Sequence, residues 1–166
     1  TPVMGGPNVA INGKLVVMAS GDENAFNKFK NVFETIGKQV FFLGKNGVAH
    51  SVKLAMNLQI AMLALALSEG ITLARATSVE PEVFLKILNS TYFKTGMSEN
   101  KAFKMIKDEF KPTFTLNNLK KDLNTINETA KSFGVKLPMS SMAEEIYKKL
   151  LKMDLAILII LVFWLT

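Results

Sequence analysis

Cysteine is absent from this 166-residue chain, and histidine, tryptophan and arginine occur once each. Without thiols there is no disulfide framework, thiolate metal site or cysteine nucleophile. A single histidine, His50, leaves no ligand set for a histidine-built zinc or iron centre, so no metal site is expected. The formal charge of +6 comes from 20 basic residues against 14 acidic ones, and only Arg75 is an arginine. Nucleic-acid readers concentrate arginine, whose planar fork grips phosphates and guanine edges. The lysines here are scattered, with pairs only at Lys120-Lys121 and Lys148-Lys149. They read as a solvated surface, and no nucleic-acid partner is expected.

Long apolar runs are also missing. Ile60–Leu67 (IAMLALAL) and Leu155–Leu165 (LAILIILVFWL) are each shorter than the roughly 20 residues of a bilayer span. The first reads as a buried core helix and the second as a packed element or partner-binding tail, so a membrane partner is not expected. The opening TPVMGGPNVAINGKL has no initiator Met, basic stretch or apolar signal region. It reads as cut from something longer, with the cytoplasm as the expected location.

Apolar residues make up 49% of the chain, enough to fill a core. The first 44 residues read as β-rich. Gly5-Gly6-Pro7 and Asn12-Gly13 are turn signals, while Leu15–Ala19 and Val40–Leu43 are short apolar runs like buried strands. Asp22–Ile36 carries Phe26, Phe29, Val32, Phe33 and Ile36 at helical spacing, with Gly37 as its stop. From Val48 the pattern turns helical: a long helix to about Thr77, another opened by Pro81 with Phe84, Leu85 and Leu88, and a shorter piece over Lys101–Phe110. Leu116, Leu119, Leu123, Ile126, Ala130 and Phe133 predict a helix ending at Gly134. Ser141 with Glu144 fits a capping box opening a last helix, with Met142, Ile146 and Leu150 on one face. The predicted class is mainly α. A small β remnant over residues 1–44 leads into an all-α domain on a long buried helix over 45–153, followed by an apolar tail over 154–166.

Four constellations could carry chemistry. In Gly44–Asn57, Lys53 and Asn57 stand at i and i+4, so an amine and a carboxamide share one helix face among Val52, Leu54, Met56 and Leu58. A desolvated lysine there shifts toward proton transfer near neutral pH. A lysine laying its stem over apolar surface is the alternative. Gly5-Gly6 reads either as a plain turn or as a nest of backbone N–H groups able to hold a carboxylate. Lys121-Asp122, in Phe114–Asp122, reads either as surface charge or as part of a site. His50, one turn before Lys53, is a base or simply a solvated side chain.

The order of these pieces is more specific than any one of them. Pro2-Val3-x-Gly5-Gly6, then Gly44-x-x-Gly47, then Lys53-x-x-x-Asn57, then Phe114 and Lys121-Asp122 resembles the β-hydroxyacid dehydrogenase family over about residues 1–154. Within it the chain is most similar to glyoxylate and succinic semialdehyde reductases and 3-hydroxyisobutyrate dehydrogenases. The family patterns are G-x-x-G-x-G-x-x-x-K-x-x-x-N and D-x-P-V-S-G-G. Ala49 departs from the first and Met4, at the serine position, from the second.

The resemblance implies hydride transfer between NADP or NAD and a small hydroxy acid or aldehyde acid. It assigns Lys53 as proton donor and acceptor, with Asn57 as the second catalytic residue. Gly5, Gly6, Phe114 and Asp122 would bind the carboxylate-bearing substrate, and Lys121 would lie by the cofactor. It also implies a homodimer or higher homo-oligomer. No G-x-G-x-x-G occurs, so the chain is expected to be the C-terminal portion of a dehydrogenase, inactive alone. A non-catalytic helical dimerisation or interaction module of the same family is the alternative.

Overall fold

The computed structural model describes residues 1–102, 106 and 115–152, and absence statements below refer to these. The expected piece over Lys101–Phe110, Phe114 and the tail 154–166 lie wholly or mainly outside them. Two compact units divide within one helix, at Thr1–Met56 and Asn57–Thr166.

The first unit is a three-stranded sheet in the order β1-β2-β3. Strand β1 (Val3–Met4) runs antiparallel to β2 (Leu15–Ala19), with Val3 opposite Val17. Strand β3 (Gly37–Phe42) is parallel to β2, with Val17 opposite Val40. Parallel neighbours need a crossover, supplied by α2 (Glu23–Ile36). Asp22 caps α2 by accepting the Ala25 N–H at 2.6 Å. Gly37 ends it as expected, but in extended conformation rather than as a left-handed cap, and β3 starts at that residue. Crowding requires glycine there all the same: a Cβ at Gly37 would meet the Val17 side chain at 2.5 Å and the Leu15 carbonyl at 3.0 Å. The sheet core is Leu15, Val17, Met18 and Ala19. A short helix, α1 (Pro7–Ile11), replaces the plain turn expected after the double glycine, because Pro7 supplies a helical φ at its first position.

Helix α3 (Val48–Ala76) is the long helix expected, ending one residue early. By length and composition alone it suffices to cross a membrane, which the run Ile60–Leu67 taken alone does not. Its burial is lower than expected: only a third of its most apolar window is covered, and Ala66 is exposed. The buried line in the second unit is Ala61, Ala64, Leu65, Leu67, Ser68, Ile71 and Ala74, one stripe of the helix.

That stripe builds the second unit. Leu67 and Ile71 form a core with Leu85 of α4 (Pro81–Asn89) and Ala102, flanked by Phe84 and Leu88. A helix the sequence did not announce, α5 (Gly96–Asn100), is held by a capping box between Thr95 and Ser98. Helix α6 (Leu116–Ser132) buries Leu116, Leu119, Leu123 and Ile126 as its periodicity predicts, but leaves Phe133 just beyond it exposed. It packs on α7 (Pro138–Lys152).

Ser141 does not cap α7. It lies inside the helix with its hydroxyl donating to the Leu137 carbonyl at 3.1 Å, and Met142 is exposed. The buried face instead runs through Ser140, Ala143, Glu144, Tyr147 and Leu150. Pro138 fixes the start one turn earlier than the Ser141 signal suggested. Tyr147 donates to the Ala61 carbonyl at 3.1 Å, and burial pushes its phenol well above the usual range.

Glu144 is the one buried acid of α7. Its carboxylate accepts the Asn127 amide at 2.6 Å and pairs with Lys148 at 2.9 Å, while Lys148 also meets Glu145 at 2.8 Å. The Lys148 hydrogen bond holds the Glu144 carboxyl below its ordinary 4.5 against the opposing cost of burial. Bonds to Glu145 and Glu144 raise Lys148 to about 12.

Two predictions follow from this packing. Leu123→Ala, at a fully buried position, should lower unfolding free energy by about 2–5 kcal/mol in urea titrations. The Glu144 contribution is present above its ordinary 4.5 and is lost as pH falls through its lowered folded value. Glu144→Gln should therefore shrink the fall in urea midpoint on acidification, with an unchanged pH dependence counting against the assignment.

Candidate functional site

In the first unit, Lys53 meets β1. Val3 and Met4 are held by pairing with β2, and Lys53 projects from the second turn of α3. Its amine donates to the Val3 carbonyl at 2.7 Å and lies 2.8 Å from the Met4 sulfur. Lys53 is half-buried rather than enclosed, because Val52, Ala55 and Met56 around it are exposed. The apolar wall that the sequence placed about it is thus partial.

The double glycine follows Met4 directly. Gly5 has φ +136, and a Cβ there would meet Leu15 at 2.7 Å and Val9 at 2.8 Å, so only glycine fits. Gly6 caps α1, has nothing within 4 Å of a Cβ position, and is exposed like Gly5. Lys53 is therefore brought to the two residues that immediately precede this pair. Ala49, at the position of the expected third glycine, is fully buried, and its N–H donates to the Ser20 hydroxyl at 3.2 Å. His50 faces solvent.

In the second unit, Asn57 of α3 donates to the Asp122 carboxylate of α6 at 2.8 Å, and both are buried. The other Asp122 oxygen accepts the Lys121 amine at 2.8 Å, while the Lys121 side chain is 70% exposed. Burial of Asp122 rules out the reading of Lys121-Asp122 as plain surface charge. Sequence reasoning proposed these residues separately, and their mutual contact had no local signal: 65 positions separate Asn57 from Asp122. Phe114 lies outside the described residues. The Ser20–Ala49 and Asn127–Glu144 contacts were not anticipated either, since they join residues 29 and 17 positions apart in the chain.

Comparisons with known proteins show the family of the chain. The family described as NAD-binding of NADP-dependent 3-hydroxyisobutyrate dehydrogenase matches residues 47–156, and the NAD binding domain of 6-phosphogluconate dehydrogenase matches residues 1–44. The chain belongs to the β-hydroxyacid dehydrogenase family, whose members use NAD(P). It is 30% identical to glyoxylate/succinic semialdehyde reductase 1 of Arabidopsis thaliana, over 89% of this chain and 51% of that protein. It is 31% identical to cytokine-like nuclear factor N-PAC of Gallus gallus, over 92% of this chain and 28% of that protein. A 3-hydroxyisobutyrate dehydrogenase from Salmonella typhimurium superposes with a TM-score of 0.86 at 25% identity, covering 94% of this chain and 55% of that one. The chain thus spans between about a quarter and a little over half of these relatives.

Two of the three strand-to-helix junctions among the described residues are closed to a dinucleotide pyrophosphate by their own side chains. At the junctions into α2 and α3 a side-chain oxygen already accepts a helical N–H: Asp22 on α2 and Ser20 on α3. A carboxylate at the α2 N-terminus also repels a phosphate.

Asn57→Ala would leave a buried carboxylate without one of its two donors. We expect it to cost about 1–3 kcal/mol of unfolding free energy by urea denaturation. A double-mutant cycle with Asp122→Asn should give a clear coupling energy, whereas additivity would deny the contact.

Proposed function

We propose that the chain is the C-terminal, substrate-handling portion of an NAD(P)-dependent oxidoreductase that interconverts a small hydroxy acid and its aldehyde acid. The observation that carries this reading is the approach of the Lys53 amine to Val3 and Met4, directly before Gly5-Gly6. The nicotinamide, when bound, supplies or accepts hydride. Lys53 gives its proton to the carbonyl oxygen as negative charge develops there, and takes it back in oxidation. The Val3 carbonyl fixes the amine in place, since a half-buried ammonium needs such an acceptor. The Gly5-Gly6 backbone, free of side chains, holds the substrate carboxylate.

In the second unit Asp122, itself paired with Lys121, holds the Asn57 carboxamide in position. The cytoplasm is the proposed location. A homodimer is the proposed assembly, in keeping with the partial covering of α3.

A second reading has its own support. The similarity to proteins named as a nuclear factor favours a non-catalytic interaction module that kept the fold. The two readings part at Lys53. The chain alone should turn over negligibly. Fused to a G-x-G-x-x-G dinucleotide-binding domain, it should reduce glyoxylate or succinic semialdehyde with NADPH or NADH. Lys53→Ala should then lower kcat by about 10²–10⁴-fold. An active fusion with unchanged kcat would remove Lys53 from the chemistry, and a folded, cofactor-loaded but inactive fusion would favour the interaction module.

A further inference from the structure

Methionine can change its hydrogen-bonding character in one covalent step. A thioether sulfur donates nothing and accepts weakly, whereas a sulfoxide carries a polar oxygen. Met4 is half-buried at the end of β1, and its sulfur stands 2.8 Å from Lys53 Nζ. The same nitrogen donates to the Val3 carbonyl at 2.7 Å. Met4 pairs opposite Val16, and the Met18 N–H donates to the Pro2 carbonyl at 3.0 Å. These backbone ties keep the strand from drawing sulfur and amine apart.

We infer that Met4 is an oxidation site whose sulfoxide clamps the Lys53 ammonium. The oxidant is a hydroperoxide, of which hydrogen peroxide is the simplest. The hydrogen bond from the ammonium engages one sulfur lone pair and leaves the second to attack a peroxide oxygen. The S–O bond forms, the O–O bond breaks, and sulfur gives up two electrons. The departing hydroxide takes a proton and leaves as water. Lys53 stands beside the sulfur to supply that proton, and the transfer runs downhill: an ordinary ammonium has a pKa of about 10.4, water about 15.7. Solvent then returns a proton to the amine. The new oxygen is bonded to an atom that the ammonium already touches, so it lies within hydrogen-bond reach. A charge-assisted bond to oxygen replaces a weak one to sulfur, and Lys53 holds its proton more firmly. The modification stands apart from the proposed reaction, which it would slow by competing for the same proton.

The test treats the full chain with hydrogen peroxide at neutral pH and counts the sulfoxide at each methionine by peptide mass spectrometry. Met139 and Met142, 71% and 68% exposed, are the reference for oxidation governed by access alone. Met4 should convert at least as fast as they do, although it is half-buried. Lys53→Gln, which has no acidic proton to give, should slow Met4 about tenfold and leave Met139 and Met142 unchanged. The clamp is read separately, in chain labelled with ¹⁵N-lysine. Oxidation should shift the Lys53 Nζ signal and slow the exchange of its protons with water. Met4→Leu, which cannot take up oxygen, should show neither change under the same peroxide. Met4 lagging behind Met139 and Met142, or a Met4 rate indifferent to Lys53→Gln, would overturn the assignment of the site. An Nζ signal that responds alike in the unmodified chain and in Met4→Leu would overturn the clamp. Turnover is not read at any step, so these outcomes stand whether or not Lys53 meets a substrate.

Discussion

A single hydrogen bond ties the two halves of the first unit's chemistry together: the Lys53 ammonium donates to the Val3 carbonyl. Half-buried ammonium groups need acceptors, and a carbonyl on a paired strand is one that cannot swing away. The bond fixes the amine at one end of β1, beside the residue after which the backbone turns through the left-handed Gly5. Sheet pairing, the glycine conformation and the start of α3 all serve this arrangement. Disturbing the sheet pairing or the start of α3 would move the amine relative to the double glycine without touching either.

Buried polar contacts play a matching part in the second unit, where they specify rather than simply stabilise. Asn57 on Asp122, Tyr147 on the Ala61 carbonyl and Asn127 on Glu144 each join helices that apolar packing alone would allow to slide. Two of the three bonds end on α3, at Asn57 and Ala61. The long helix is thereby fixed in register against α6 and α7 by directional bonds, while Leu67 and Ile71 supply its apolar contact with α4. Asp122 is both a registration point and a candidate site residue, so its substitution would affect stability and function together.

Much of this was legible in the sequence. The strand Leu15–Ala19, the helix after Asp22, the long helix from Val48 and the face of α6 all follow from periodicity and caps, because each is a local pattern repeated over several turns or bounded by glycine or proline. Helix α1 was missed because Gly-Gly-Pro signals a turn and five residues give no period to read. The α7 start was misplaced because Ser141 and Glu144 fit a cap by spacing, whereas Pro138 and the Ser141 bond back to Leu137 put them inside the helix. The coverage of α3 was overestimated because an all-apolar stretch does not say how much of its circumference other elements reach. At the site, motif order pointed to Lys53, Asn57 and Asp122, but the Met4 contact and the sharing of Asp122 are long-range facts with no local trace.

Helix α2 has a further consequence. It buries none of its residues, Phe29, Val32 and Ile36 are exposed, and β3 pairs with β2 alone among the described residues. An open strand edge beside greasy side chains invites self-association through the backbone. The opposing force is the lysine excess, a net charge of +6 spread over the surface. Like charges keep copies apart only over the screening length, about 10 Å at 0.1 M salt and about 3 Å at 1 M. On this balance ionic strength is expected to set the colloidal behaviour of the polypeptide, dilute buffer favouring dispersal and concentrated salt favouring contact through the apolar flank of the sheet.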